Sequence, residues 1–341
     1  MRRHWYVLGA AVGALAATVT ALSIYLALRD EAEPARGELI AYSCKEPKNT
    51  WYAICVVRSD GTEARRLTHG VPATDPAWSP DGRKIGFTRR EDVGGGYTKF
   101  SEDDVYVMDA DGGGQRPLTK DVVNQHAGQP SWSPDGREIV FMRGAPVPTA
   151  LPARPGELFV MAADGADVHG LTHGSRDLHP AWSPDGKEIA FARAVEPASS
   201  AGFAGIWVVD ATGGEPRELT SPESKVDGSV SWSPDGTRIA FTRTRPESEL
   251  DGVASVYVMN RDGTNVHELL RHRYFACCTY GLAWSPDGRT IAFETSPSRL
   301  CTAISLVDVA TLRVRPLTRC TRPRESALSP AWQPDLTADT P

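Results

Sequence analysis

The run Trp-Ser-Pro-Asp-Gly recurs at Trp78, Trp132, Trp182, Trp232 and Trp284, and Trp332 opens a decayed sixth copy that reads WQPDL. Successive tryptophans are 48 to 54 residues apart. A period of about 50 residues belongs to solenoids, propellers and arrays, whose units bury their apolar faces against each other. Every copy has the same grammar. A short strand ends at the Trp, and Ser-Pro-Asp-Gly makes a type I turn with Pro at i+1 and Gly at i+3. A strand of the Ile-Ala-Phe kind returns, and a variable loop leads to an apolar strand such as DVYVMD or GIWVVD. A second Gly/Asp turn follows. The last strand ends in Leu-Thr, at Leu118–Thr119, Leu171–Thr172, Leu219–Thr220 and Leu317–Thr318.

The polarity of the strands sets their order. The IAF and YVM strands are apolar on both faces, as strands are in a sheet covered on both sides. The final strands (QRPLT, RVRPLT) carry Arg and often Pro, which suit an outer edge. Four-stranded antiparallel meanders therefore stack face to face around an axis, which is an all-β propeller. Residues 38–68 supply three strands without a first one, and the C-terminal SPAWQPD supplies a first strand with nothing after it. Together they make one composite blade. With five internal blades the sequence predicts a six-bladed β-propeller over 38–335, closed by its N- and C-terminal strands, with a tail at 336–341. The six repeat tryptophans are read as packing between blades.

The repeated PxWSPDGxxIAF followed by YVMDxDGxxxxxLT resembles the TolB-type propeller repeat, which also occurs in the propellers of the prolyl oligopeptidase and tricorn families. The resemblance covers 38–335 and implies the fold, since the motif residues are structural. TolB has a further domain before its propeller, whereas here about ten residues separate the candidate membrane segment from the propeller. The peptidases carry a G-x-S-x-G elbow, and this sequence has none.

Trp5 to Leu28 is 24 residues without a charge. As a helix it would be about 36 Å long and would cross a bilayer core of ~30 Å. Arg2 and Arg3 precede it, and Asp30, Glu31 and Glu33 follow. The positive-inside rule then leaves 1–4 as a cytoplasmic stub and puts the 29–37 linker and propeller outside. A cleaved signal peptide is the rival reading, and it also exports the propeller. The sequence thus predicts a transmembrane helix or signal-anchor in a bacterial cytoplasmic membrane, with a periplasmic or cell-surface propeller.

In an exported chain six cysteines read as disulfides. Cys44 and Cys55 bracket the first hairpin, and Cys301 and Cys320 bracket the last one. Cys277 and Cys278 are left as a vicinal pair or as two thiols.

Loops joining strands 2 and 3, and strands 4 and 1, emerge on one face. They include the long segments 90–103, 144–156, 194–204 and 244–254, and such loops carry function. The residues just before the first strands, Asp75, His126, Gln129, His179 and Asp227, are the expected binding set at the channel mouth. Histidines there would make binding pH-sensitive. The Asp-Gly turns at Asp111, Asp164 and Asp262 lack the ligands of a calcium loop. No metal, cofactor or nucleophile–base pair is expected. With 37 Lys and Arg against 43 Asp and Glu, the chain has no footprint for nucleic acid. The expected work is binding or scaffolding of a protein, a peptide or an envelope polymer. The alternative is a hydrolase or lyase with its site at the channel mouth.

Overall fold

The computed structural model describes residues 39–45, 51–93, 100–119, 126–144, 156–173, 176–195, 203–221, 226–246, 252–273, 281–298, 301–320 and 326–335. The candidate membrane segment, Cys277 and Cys278, and most of the long loops lie outside them. Among the described residues no helix is long and apolar enough to cross a membrane.

All described elements are strands. The first meander is β1 (Leu39–Lys45), β2 (Ala53–Arg58) and β3 (Arg65–Arg66). The next is β4 (Ala73–Trp78), β5 (Lys84–Val93), β6 (Phe100–Asp109) and β7 (Arg116–Pro117). It is followed by β8 (His126–Trp132), β9 (Glu138–Gly144), β10 (Glu157–Ala162) and β11 (His169–Gly170). Then come β12 (Arg176–Trp182), β13 (Glu188–Val195), β14 (Phe203–Asp210) and β15 (Arg217–Glu218). After these are β16 (Val226–Trp232), β17 (Arg238–Pro246), β18 (Gly252–Asn260) and β19 (His267–Arg273). The last meander is β20 (Leu282–Trp284), β21 (Thr290–Ser298), β22 (Cys301–Asp308) and β23 (Val314–Pro316), and β24 (Ser326–Trp332) ends the chain.

Within each meander the strands pair antiparallel in sequence order. The meanders β12–β15 and β16–β19 share one sheet through a single parallel pair, Ala204 with Val226. The C-terminal β24 pairs antiparallel with β1, so the first sheet has the order β24-β1-β2-β3 and joins the two ends of the described chain. The first strands β4, β8, β12, β16, β20 and β24 contact one another in that order, and β24 returns to contact β4.

The core lies between sheets. Phe87, Phe141, Phe191 and Phe241, from four of the five IAF-type strands, are fully buried, and Phe293 of the fifth is buried as well. Trp78 packs with Ile54 and Val56 of the preceding sheet and with Ile85 and Phe87 of its own. Three indoles reach back to the neighbouring sheet. Trp132 donates to the Ala77 carbonyl at 3.2 Å, Trp232 to Ala181 at 3.1 Å and Trp332 to Ala283 at 3.1 Å.

The turn chemistry is local. In the first Ser-Pro-Asp-Gly turn, the Gly82 N–H donates to the Ser79 carbonyl at 2.8 Å, with Gly82 at φ 63. The Ser79 hydroxyl donates to Asp81 at 2.6 Å and accepts from the Lys84 N–H at 2.9 Å. The outer strands are shorter than the repeat suggests, only two residues in β3, β7, β11 and β15. The Leu-Thr pair takes over beyond them. The Leu171 N–H donates to the Leu158 carbonyl, and the Thr172 hydroxyl accepts the Leu158 N–H at 3.0 Å. Thr68, Thr119, Thr220 and Thr318 do the same for Ile54, Val105, Ile206 and Ile304. β19 has Leu270 in place of this Thr, and there the outer strand runs for seven residues.

Cys44–Cys55 and Cys301–Cys320 are disulfides with Cα separations of 5.8 and 6.2 Å. These are the pairings suggested by the two hairpins. Some ladders also extend into the segments read as loops. β5 and β6 stay paired out to Val93 and Phe100, and β17 and β18 out to Pro246 and Gly252.

Candidate functional site

The site is built on one repeated irregularity, three residues before each Trp. The register slips there, between Thr74 and Ala77, Gly128 and Ser131, Leu178 and Ala181, and Gly228 and Val230. Asp75, Gln129, His179 and Ser329 sit at φ 52, 55, 53 and 50, and Ser229 at φ 20. Non-glycine residues seldom adopt the left-handed region, and a residue held there costs of order 1–3 kcal/mol unless its surroundings impose it. A bulge in each of five first strands turns these side chains onto the wall of a common cavity of about 330 Å³, which Gly281, just before β20, also lines. Pro76, Pro130, Pro180 and Pro330 form much of the apolar remainder.

The bulge leaves a backbone N–H off its own ladder, and the neighbouring sheet takes it up. Asp75 N–H donates to Ser43 at 3.2 Å and Gln129 N–H to Thr88 at 2.9 Å. Met142 holds the matching position in β9 and has only a weak thioether acceptor. There the Gln129 side chain reaches across and its Oε1 accepts the His179 N–H at 2.8 Å. In β21 the matching residue is Glu294, whose Oε1 accepts from both Gly281 and Ser329 at 2.8 Å.

Glu294 is 2% exposed. Burial pushes its carboxyl up to about 8, against the pull of the two N–H groups, and nearby Asp75 adds to the rise. Burial holds the His179 imidazole below its ordinary value, and Asp75 opposes that. His179 retains some exposed surface but is densely surrounded. The Asp75 carboxylate accepts from Thr74 Oγ1 at 2.9 Å and from Ser329 Oγ at 3.2 Å. Among the described residues no group of three or more His, Cys, Asp or Glu is arranged to hold a metal ion.

Of the five residues expected at the channel mouth, Asp75, Gln129 and His179 line this cavity and His126 and Asp227 do not. His126 lies at the start of β8, with Nδ1 3.1 Å from Asp103. Asp227 is fully buried opposite Arg243 on β17, which it binds through two contacts of 2.6 and 2.7 Å, and it accepts from Thr220 as well. Asp177 and Arg193 repeat this cross-strand pair in the preceding meander. The sequence reading missed Glu294, Ser229 and Ser329. Glu294 had a signal, a lone acid in an IAF strand where the other copies carry Thr, Met or Ala.

Residues 177–338 match the TolB beta propeller domain. That part of the chain is a TolB-type β-propeller domain. The likeness to solved TolB reaches further along the chain than that match. TolB from Acinetobacter baumannii superposes with a TM-score of 0.68 over 92% of this chain and 70% of its own, at 21% identity, which is a likeness of fold. Among curated proteins, the Tol-Pal system protein TolB of Gluconobacter oxydans (strain 621H) is 30% identical over 99 residues, covering 29% of this chain and 20% of that protein. The uncharacterized peptidase YuxL of Bacillus subtilis (strain 168) is 38% identical over 76 residues, covering 21% of this chain and 10% of that protein. The chain thus spans a fifth or less of the length of these two relatives. The TolB-type repeat accounts for the sheets and turns, while the residues on the cavity wall differ from one copy to the next.

Proposed function

We propose that this protein is a six-bladed propeller tethered outside the cytoplasmic membrane by residues 5–28, and that it binds an envelope protein or peptide in the central cavity. The cavity carries this reading. Its wall is built from the position three residues before each repeat Trp, and those positions hold Asp, Gln, His, Ser, Gly and Ser rather than a repeated packing residue. The closed cycle of first-strand contacts supports six blades. The two disulfides support an oxidising compartment outside the cytoplasm. The likeness to a Tol-Pal system protein supports an envelope protein as partner over an envelope polymer.

The test is crosslinking of the native protein in membranes, wild type against Asp75→Ala combined with His179→Ala. The expected result is a defined partner captured by wild type and lost in the variant. A partner captured equally by both would place binding away from the cavity.

A hydrolase or lyase is the second reading. One observation favours it: a carboxyl with a raised pKa and an imidazole with a lowered one adjoin the same cavity. Turnover of envelope glycans or peptides that disappears in His179→Ala would establish it.

A further inference from the structure

We propose that the cavity receives the amino terminus of a polypeptide, with its ammonium on the Asp75 side and its first carbonyl oxygen on the Gln129 side. This rests on the cavity being the binding site proposed above.

The order of the first strands splits the wall into two halves. Where β24 and β4 meet, the wall is acidic. Among the described residues Asp75 accepts only the hydroxyls of Thr74 and Ser329. Glu294 lies just behind Gly281 and Ser329 and uses one oxygen, Oε1, for both of its hydrogen bonds. Its other oxygen, Oε2, has no hydrogen-bond partner among the described residues; Glu294 is protonated at neutral pH, with its carboxyl pushed up to about 8, so the negative charge of this half is that of Asp75. Where β8 and β12 meet, the wall offers donors. Gln129 spends its amide oxygen on the His179 N–H. Among the described residues its amide NH2 has no partner, and neither does the His179 ring.

Polar groups withdrawn from bulk water need partners. A ligand that satisfies this wall brings several donors and a positive charge to one half and an acceptor to the other. Among the described residues no Lys or Arg lines the cavity, so a peptide carboxylate would find no counter-charge there. A chain amino terminus has three N–H donors on a cation and a carbonyl oxygen on the carbon beyond Cα. A lysine side chain has the cation, but its aliphatic stem would leave Gln129 unmet. The proline rings give the first side chain an apolar wall. The volume of about 330 Å³ suits one or two residues rather than a folded domain.

The test titrates the full chain, in detergent micelles, with the tripeptide amide Ala-Ala-Ala-NH2. Its N-acetylated twin and the amide of N-acetyl-lysine serve as the other two probes, and calorimetry reads all three. The free-amine peptide should bind, and acetylation should weaken it at least about tenfold, since it removes a charge-assisted contact. The lysine probe should behave like the acetylated twin. Asp75→Asn should weaken the free-amine peptide about tenfold while the unfolding midpoint holds; Gln129→Leu should weaken it about as much and also lower the midpoint, because the His179 N–H loses its acceptor. Equal binding of the free and acetylated peptides overturns the inference on wild type alone, without any variant. So does preferential binding of the lysine probe, or no binding of the free-amine peptide. If the amine peptide fails while partner crosslinking still requires Asp75 and His179, the amino-terminus inference falls and the binding function stands. If crosslinking ignores both residues, the function falls as well.

Discussion

Glu294 gives the clearest consequence at the scale of one residue. Its carboxyl is pushed up to about 8 by burial, against an unfolded value near 4.5. Between those values the folded chain holds a proton that the unfolded chain has released. Stability therefore falls as pH rises from about 4.5 to about 8 and levels off above that, by at most ~1.4 kcal/mol per pH unit from this group. Urea unfolding of wild type and Glu294→Gln from pH 5 to 9 checks this. The variant keeps an acceptor for Gly281 and Ser329 and should lose that part of the slope; identical slopes would sink the assignment. The cavity was partly legible at this scale. Asp75, Gln129 and His179 share a fixed offset from Trp, and offset is visible in a sequence. The bulge is not. It turns the residue at that offset toward the axis and leaves Asp227, two positions earlier, facing Arg243 on the paired strand. Polar residues near a strand start thus have two destinations, and counting from the strand start could not separate them. Glu294 escaped notice because its role depends on a contact with the following sheet.

At the scale of elements, local chemistry was read with the least loss. Ser-Pro-Asp-Gly dictates its own turn, through Gly82 at positive φ and a serine that both donates and accepts. The outer edge was read less well, because a Leu-Thr ending looks like the end of a strand. In the fold it replaces one, with a threonine hydroxyl doing the work of a backbone carbonyl. Thr172→Val tests this. Thr172 is 2% exposed, so water has little room to take over the lost acceptor for the Leu158 N–H. The loss should be about 1–3 kcal/mol in urea unfolding. A loss near zero would mean that the hydroxyl only fills space. β19, with Leu270 at this position, shows the other way to finish an edge, with more strand.

At the scale of the whole molecule, the two disulfides both lie close to the seam where the ends meet. Cys44–Cys55 ties β1 to β2. Cys301–Cys320 ties the start of β22 to the residues just before β24. Their sequence separations of 11 and 19 residues imply roughly 3 kcal/mol each from restricting the unfolded chain. Reduction should therefore lower the thermal midpoint, and alkylated protein should unfold first at the seam. Hydrogen exchange of β1 and β24, compared with β8 and β9, reads this directly; uniform loosening of all sheets would contradict it. The pairing of β24 with β1 also sets a timetable. The roughly 280 residues between Lys45 and Ser326 take about 15–60 s to synthesise at ~5–20 residues per second. For that interval β1 has made its hairpin with β2 but has an open flank, and the nascent chain must keep that flank from strangers until its own last strand arrives.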